Sequence, residues 1–195
     1  MNIDKLSDVP VLRELPQVVA KHAGESTTLS PIFNQVVQNL TELNVETKNL
    51  NELKTEISGK KVIQEKNESL EEEFQTAEDF EKRLQLKEQI HQNNSKLSNL
   101  ETIENKYKEQ EKAFTKSYNK AKTEFRAHEK EFNKLFEKEK KLLLEENNQL
   151  EEQFSNAEDL EQRLKLKEKI HRNEATIKDI DKELTNLEQY FERKS

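Results

Sequence analysis

The sequence predicts an all-α protein, an elongated antiparallel coiled coil in which two duplicated helical hairpins share one long central helix. The first observation is an internal repeat. Leu70–Asn94 and Leu150–Glu174 are identical at 16 of 25 positions without a gap, including Leu70/Leu150, Phe74/Phe154, Arg83/Arg163, Leu84/Leu164 and His91/His171, which marks a duplication. The second is composition. Only 31% of the 195 residues are hydrophobic and 37% are charged, against about 45–50% apolar in an ordinary globular chain. A broad core is out of reach, and narrow stripes on long helices are what such a chain can bury. The third is a heptad row: Phe114, Tyr118, Ala121, Phe125, His128, Phe132 and Leu135 alternate by four and three, giving one interface seam straight through the join between the repeats.

The elements follow in order. Residues 1–29 read as a separate N-terminal docking segment with a short helix and a connector. Pro10 and Pro16 frame Val9, Val11, Leu12, Leu15, Val18 and Val19, and proline is tolerated in a first helical turn. The small and polar run Ala23–Leu29 reads as the connector. Ser30-Pro31 then supplies a capping hydroxyl and a proline at the first helical position, opening the first hairpin repeat, residues 30–110. Val36, Leu40, Leu43, Thr47, Leu50 and Ile57 share one face of its first helix. Gly59, with no proline nearby, is a weak point that costs about 1 kcal/mol relative to alanine.

Each repeat contains a helix-start signature, Thr76-Ala-Glu-Asp79 or Asn156-Ala-Glu-Asp159, a capping side chain followed three residues later by an acid. Either the chain reverses at residues 75–77 and 155–157, or one helix runs straight through. The apolar pattern favours reversal. Leu70, Phe74, Ala77 and Leu84 fall on one side of an ideal helix, while Leu86, Ile90, Leu97 and Leu100 fall on nearly the opposite side. With reversals, arms at about 31–75 and 157–193 fold back along a middle helix 77–155, roughly 120 Å long at 1.5 Å per residue. The second repeat then covers residues 111–195.

The sequence offers chemistry little to work with. It has no cysteine, so thiolate metal sites, disulfides and thiol catalysis are excluded. Of the four histidines, His91 and His171 are equivalent repeat positions, but Gln92, Arg172 and Asn94 beside them are not metal ligands. Acids such as Glu71, Glu72, Glu73, Glu158 and Asp159 are plentiful, yet acid/base catalysis needs a cleft that separates their pKa values. No phosphate-binding glycine loop, GxSxG, HExxH or EF-hand spacing occurs. The expectation is a protein that is not an enzyme and takes no cofactor and no metal.

Charge is distributed unevenly. Net charge is −7. Residues 65–81 and 145–161 each total −7, whereas residues 105–141 hold 12 basic and 7 acidic residues. Lys108, Lys112, Lys116 and Lys120 form one basic row, and Lys122, Arg126, Lys130, Lys134 and Lys138 another. Glutamates interleaved among them oppose phosphate binding and favour pairing across helices.

The functional expectation is a structural or assembly protein: a self-associating scaffold or spacer, homo-oligomeric through its seams, with the N-terminal segment docking onto another protein. In composition the chain is similar to viral assembly scaffolds and virion internal proteins. The alternative is a helical adaptor or inhibitor that binds one cellular protein, and the third is a nucleic-acid-associated protein. The start MNIDKLSDVPVLRELP has no basic segment followed by an apolar run, and no stretch reaches the roughly 18 apolar residues of a membrane span. A soluble protein is expected, cytoplasmic or assembled into a particle, with no membrane partner.

Overall fold

The computed structural model describes residues 9–24 and 28–192. Among them there are five helices and no strand: α1 (Glu14–Lys21), α2 (Leu29–Ile57), α3 (Lys60–Thr76), α4 (Phe80–Asn156) and α5 (Leu160–Glu192). Part of the expected connector, and residues 1–8 of the N-terminal segment, lie outside the described residues. No helix among the described residues is long and apolar enough to cross a membrane.

Helix boundaries follow local chemistry. α2 begins at Leu29, so Ser30 and Pro31 occupy its second and third positions instead of cap and first position. Proline is harmless there because the N–H it lacks would have no intrahelical acceptor. The central helix is unbroken for 77 residues. The breaks fall at residues 77–79 and 157–159, two residues later than the sequence signature suggested. Their cause is the acid of each motif: Asp79 Oδ1 accepts from the Glu81 N–H at 2.9 Å, and Asp159 Oδ2 from the Gln162 N–H at 3.1 Å. Thr76 instead turns its hydroxyl back onto the Glu73 carbonyl at 3.2 Å, closing α3. Asp79 and Asp159 are therefore the N-caps, and Thr76 ends the preceding helix.

The chain divides into two compact units, Val45–Lys116 in one and Met1–Asn44 with Ser117–Ser195 in the other. These are not the repeats expected at 30–110 and 111–195. In the first unit, Leu50, Leu53, Leu70, Leu86 and Phe114 are buried. Cross-helix contacts pair Lys60 with Glu104 and Asn67 with Asn94. Partners farther back in α3 meet residues farther on in α4, so these two helices run antiparallel.

The second unit holds most of the aromatic core. Phe33 meets Phe132 edge-on at 4.9 Å between ring centroids, Phe125 stacks on Phe191 at 5.3 Å, and Tyr118 meets Tyr190 at 5.5 Å. The Tyr118 hydroxyl donates to the Tyr190 carbonyl at 2.7 Å, so this buried phenol is satisfied. Along α4 the seam residues Phe114, Tyr118, Ala121, Phe125 and Phe132 are buried. His128 and Leu135 are half-buried, and Phe136 takes the fully buried place after Phe132. On α2 the buried face is Phe33, Val36, Leu40, Leu43, Thr47, Leu50 and Leu53, with Ile57 only half-buried.

The link between α2 and α3 is nearly helical. Gly59 has φ −79° and ψ −9°, and a Cβ built on it meets nothing within 4 Å. Gly59→Ala is therefore expected to stabilise the protein by about 0.5–1 kcal/mol, by removing the conformational freedom of glycine from the unfolded chain. Urea denaturation measures it, and a loss of stability would show that the link needs glycine.

Candidate interaction site

Two features distinguish this molecule from a plain helical bundle: the clamp on α1 and the two repeated tips. α1 packs against α5, burying Leu15, Val18 and Val19. Both of its ends are held by buried glutamates from other helices. At its start the Glu183 carboxylate accepts from the backbone N–H groups of Arg13 at 2.8 Å, Glu14 at 3.0 Å and Leu15 at 3.1 Å. The next residue, Pro16, has no N–H to satisfy. One carboxylate from α5 thus answers the unpaired donors of the first turn and meets the positive end of the helix dipole.

At the other end, Glu139 of α4 accepts from Lys21 Nζ at 2.6 Å and faces His22 Nε2 at 2.9 Å. Burial pushes the Glu139 carboxyl up, but the hydrogen bonds from Lys21 and His22 outweigh it and hold the group below its usual range. On the surface of the other unit, hydrogen bonds from Lys60 and Lys108 take Glu104 down to about 2.

The clamp packs residues 13–22 of the expected docking segment against α4 and α5. Of the segment's six apolar residues, Leu15, Val18 and Val19 lie in the core; Val9 and Leu12 are half-buried, and Val11 is exposed. The sequence carried a signal for this. Glu139 and Glu183 sit on otherwise apolar faces, Glu183 between Ile180 and Leu187 and Glu139 between Phe136 and Leu143. An acid in that position requires donors from another element.

The tips are built alike. Arg83 lies over the Phe74 ring at 4.9 Å, and Arg163 over Phe154 at 4.6 Å, so the same cation–π contact spans each break. Asn67 Nδ2 donates to Asn94 Oδ1 at 2.9 Å, and Asn173 Nδ2 to Asn147 Oδ1 at 2.9 Å. Asn67 and Asn147 are equivalent repeat positions and buried, whereas their partners Asn94 and Asn173 are not equivalent and are less buried; a buried amide at such a place fixes helix register, because a slip would set it against leucine. The face grouping Leu70, Phe74, Ala77 and Leu84 is split by the break: Leu70 is buried, Phe74 and Ala77 are half-buried and Leu84 is exposed. Leu86 and Leu166 point inward and are buried. Ile90, Leu97 and Leu100 are half-buried within the chain. Exposed instead are Phe80 (79%) and Leu84 (59%) at the first tip, and Leu160 (71%) and Leu164 (60%) at the second. At the first tip, Phe74, Phe80, Arg83, Leu84 and Lys87 line a depression of about 380 Å³.

The remaining candidates are surface groups. His91 and His171 are exposed, His171 facing Glu174 at 3.1 Å. His128 lies 6.2 Å from the Phe132 ring. The basic rows are partly paired: Lys108 with Glu104 at 2.9 Å, and Arg126 with Glu129 at 2.6 Å and Glu192 at 3.4 Å.

No protein-family model, curated protein or solved structure matches the chain.

Glu183→Ala is expected to cost about 1–3 kcal/mol in urea denaturation, because it leaves buried N–H groups without an acceptor; an unchanged midpoint would remove the clamp. Because the Glu139 carboxyl is held low in the folded state, its contribution is present above the ordinary carboxylate range and is lost as pH falls through and below about 4.5. Stability is expected to fall less steeply between about pH 5 and 3 in Glu139→Gln than in the wild type. Parallel pH profiles would contradict that role for Glu139.

Proposed function

We propose that the protein is a non-enzymatic structural or assembly component, a coiled-coil rod of two duplicated hairpins that associates with itself as a scaffold or spacer. The observation that carries this reading is the twofold display of large apolar side chains, Phe80 with Leu84 and Leu160 with Leu164, at equivalent places of the repeat. Neither pair serves the fold of its own chain, and contiguous exposed apolar surface of this kind marks interaction sites. The cytoplasm, or an assembled particle, is the setting this role suits.

A second reading, an adaptor or inhibitor that binds one cellular protein, draws on the N-terminal residues. Val11 is 72% exposed, beside a depression of about 160 Å³ lined by Val9, Pro10, Leu12, Val37, Leu40 and others. Binding there uses Val9, Val11 and Leu12 alone, since the other three apolar residues of the segment are already buried. Nucleic-acid association is the weakest reading, because Lys108 and Arg126 of the basic rows already face carboxylates.

Light-scattering mass combined with small-angle scattering across a concentration series tests self-association. A mass that rises with concentration, together with a particle at least about 120 Å long, is the expected result. A compact monomer at every concentration would turn the search to an adaptor's partner.

A further inference from the structure

We infer that the two tips are self-complementary contact sites, and that the occupant of each is a tip of a second copy of this chain. The inference rests on the self-association reading and names the surface that performs it.

Each tip has an apolar centre with opposite charges on its two flanks. At the first tip the centre is Phe74, Phe80 and Leu84. The arm entering the break carries Glu71, Glu72 and Glu73, Glu78 and Asp79 lie in the break itself, and the arm leaving it carries Lys82, Arg83 and Lys87 against Glu81 and Glu88, which leaves that flank net basic. The second tip repeats the scheme with Phe154, Leu160 and Leu164 at the centre, Glu151 and Glu152 entering, Glu158 and Asp159 in the break, and Arg163, Lys165 and Lys167 against Glu161 and Glu168 leaving, with Lys165 paired to Glu161 at 2.7 Å. When two such tips meet about a twofold axis, the apolar centres face each other and the basic flank of each lies against the acidic flank of the other. A patch of this kind is complementary to itself. Arg83 and Lys87 line the depression that also holds Phe80 and Leu84, so apolar and basic groups belong to one surface. Because the second tip carries the same constellation, either tip accepts either tip.

Size sets the strength. A stable interface engages about 20–30 residues a side, whereas a tip contact engages far fewer. One contact is therefore weak, and association depends on concentration. Two contacts per chain make growth beyond a dimer available, and blocking one of them removes it.

Analytical ultracentrifugation across a concentration series tests this with the wild type and three variants: Phe80→Ser with Leu84→Ser, Leu160→Ser with Leu164→Ser, and all four together. The four side chains are at least 59% exposed, so circular dichroism of the variants should match the wild type. The expected result is a wild-type mass that grows past the dimer, a mass that stops at the dimer in each two-substitution variant, and a monomer when all four are changed. A fourfold variant that associates like the wild type overturns the tip assignment and leaves self-association standing through another surface. A wild type that stays monomeric at every concentration overturns both.

Discussion

Everything in this molecule depends on how a chain with so few apolar residues covers the aromatic row of α4. Tyr118, Phe125, Phe132 and Phe136 are all but fully buried, and burying such rings is the largest stabilising contribution a stripe this narrow can offer. The row needs neighbours on several sides. Phe33 from α2 packs edge-on against Phe132 and Phe136, while Tyr190 and Phe191 from α5 pack against Tyr118 and Phe125. A helix pair alone would leave part of each ring in water. α1 joins this unit by packing on α5 and by bonding to Glu183 of α5 and Glu139 of α4.

Drawing in α1 carries a cost of its own. A helix of eight residues exposes unsatisfied backbone donors over much of its length, and the neighbouring surface is apolar. The solution is to place one carboxylate at each end. Glu183 satisfies the first turn, and Glu139 holds Lys21 and His22 past the last. Each acid is tolerable in the core because the donors it meets are fixed by the other helix. The short helix and the buried acids thus stabilise each other, and neither is expected to persist without its counterpart.

Much of this was legible in the sequence, and the exceptions have physical reasons. The continuity of α4 followed from the four-three row and the absence of helix breakers between Phe80 and Asn156. The duplication pointed to equivalent breaks, and the structure places them at 77–79 and 157–159 because Asp, rather than Thr or Asn, supplies the cap. The face assignment was harder to read. On an ideal helix Leu84 and Leu86 lie on nearly opposite sides, and sequence alone does not say which side looks inward; the buried amide at Asn93 marks the answer, because it shares the side of Leu86, Ile90 and Leu97. The packing of α1 is not legible locally, because its apolar cluster resembles a docking segment when taken alone. What completes it lies about 120 and 170 residues away, in Glu139 and Glu183, and local pattern does not report contacts of that range.

Native-state hydrogen exchange on the full chain tests most directly whether α1 belongs to the aromatic core. The amides of Val18 and Val19 should be protected to the same degree as those of Phe125 and Phe132, and should open together with them as denaturant is raised. Exchange of α1 at the rate of an unstructured peptide, with α4 still protected, would contradict that claim and return the N-terminal residues to the role of a free docking segment.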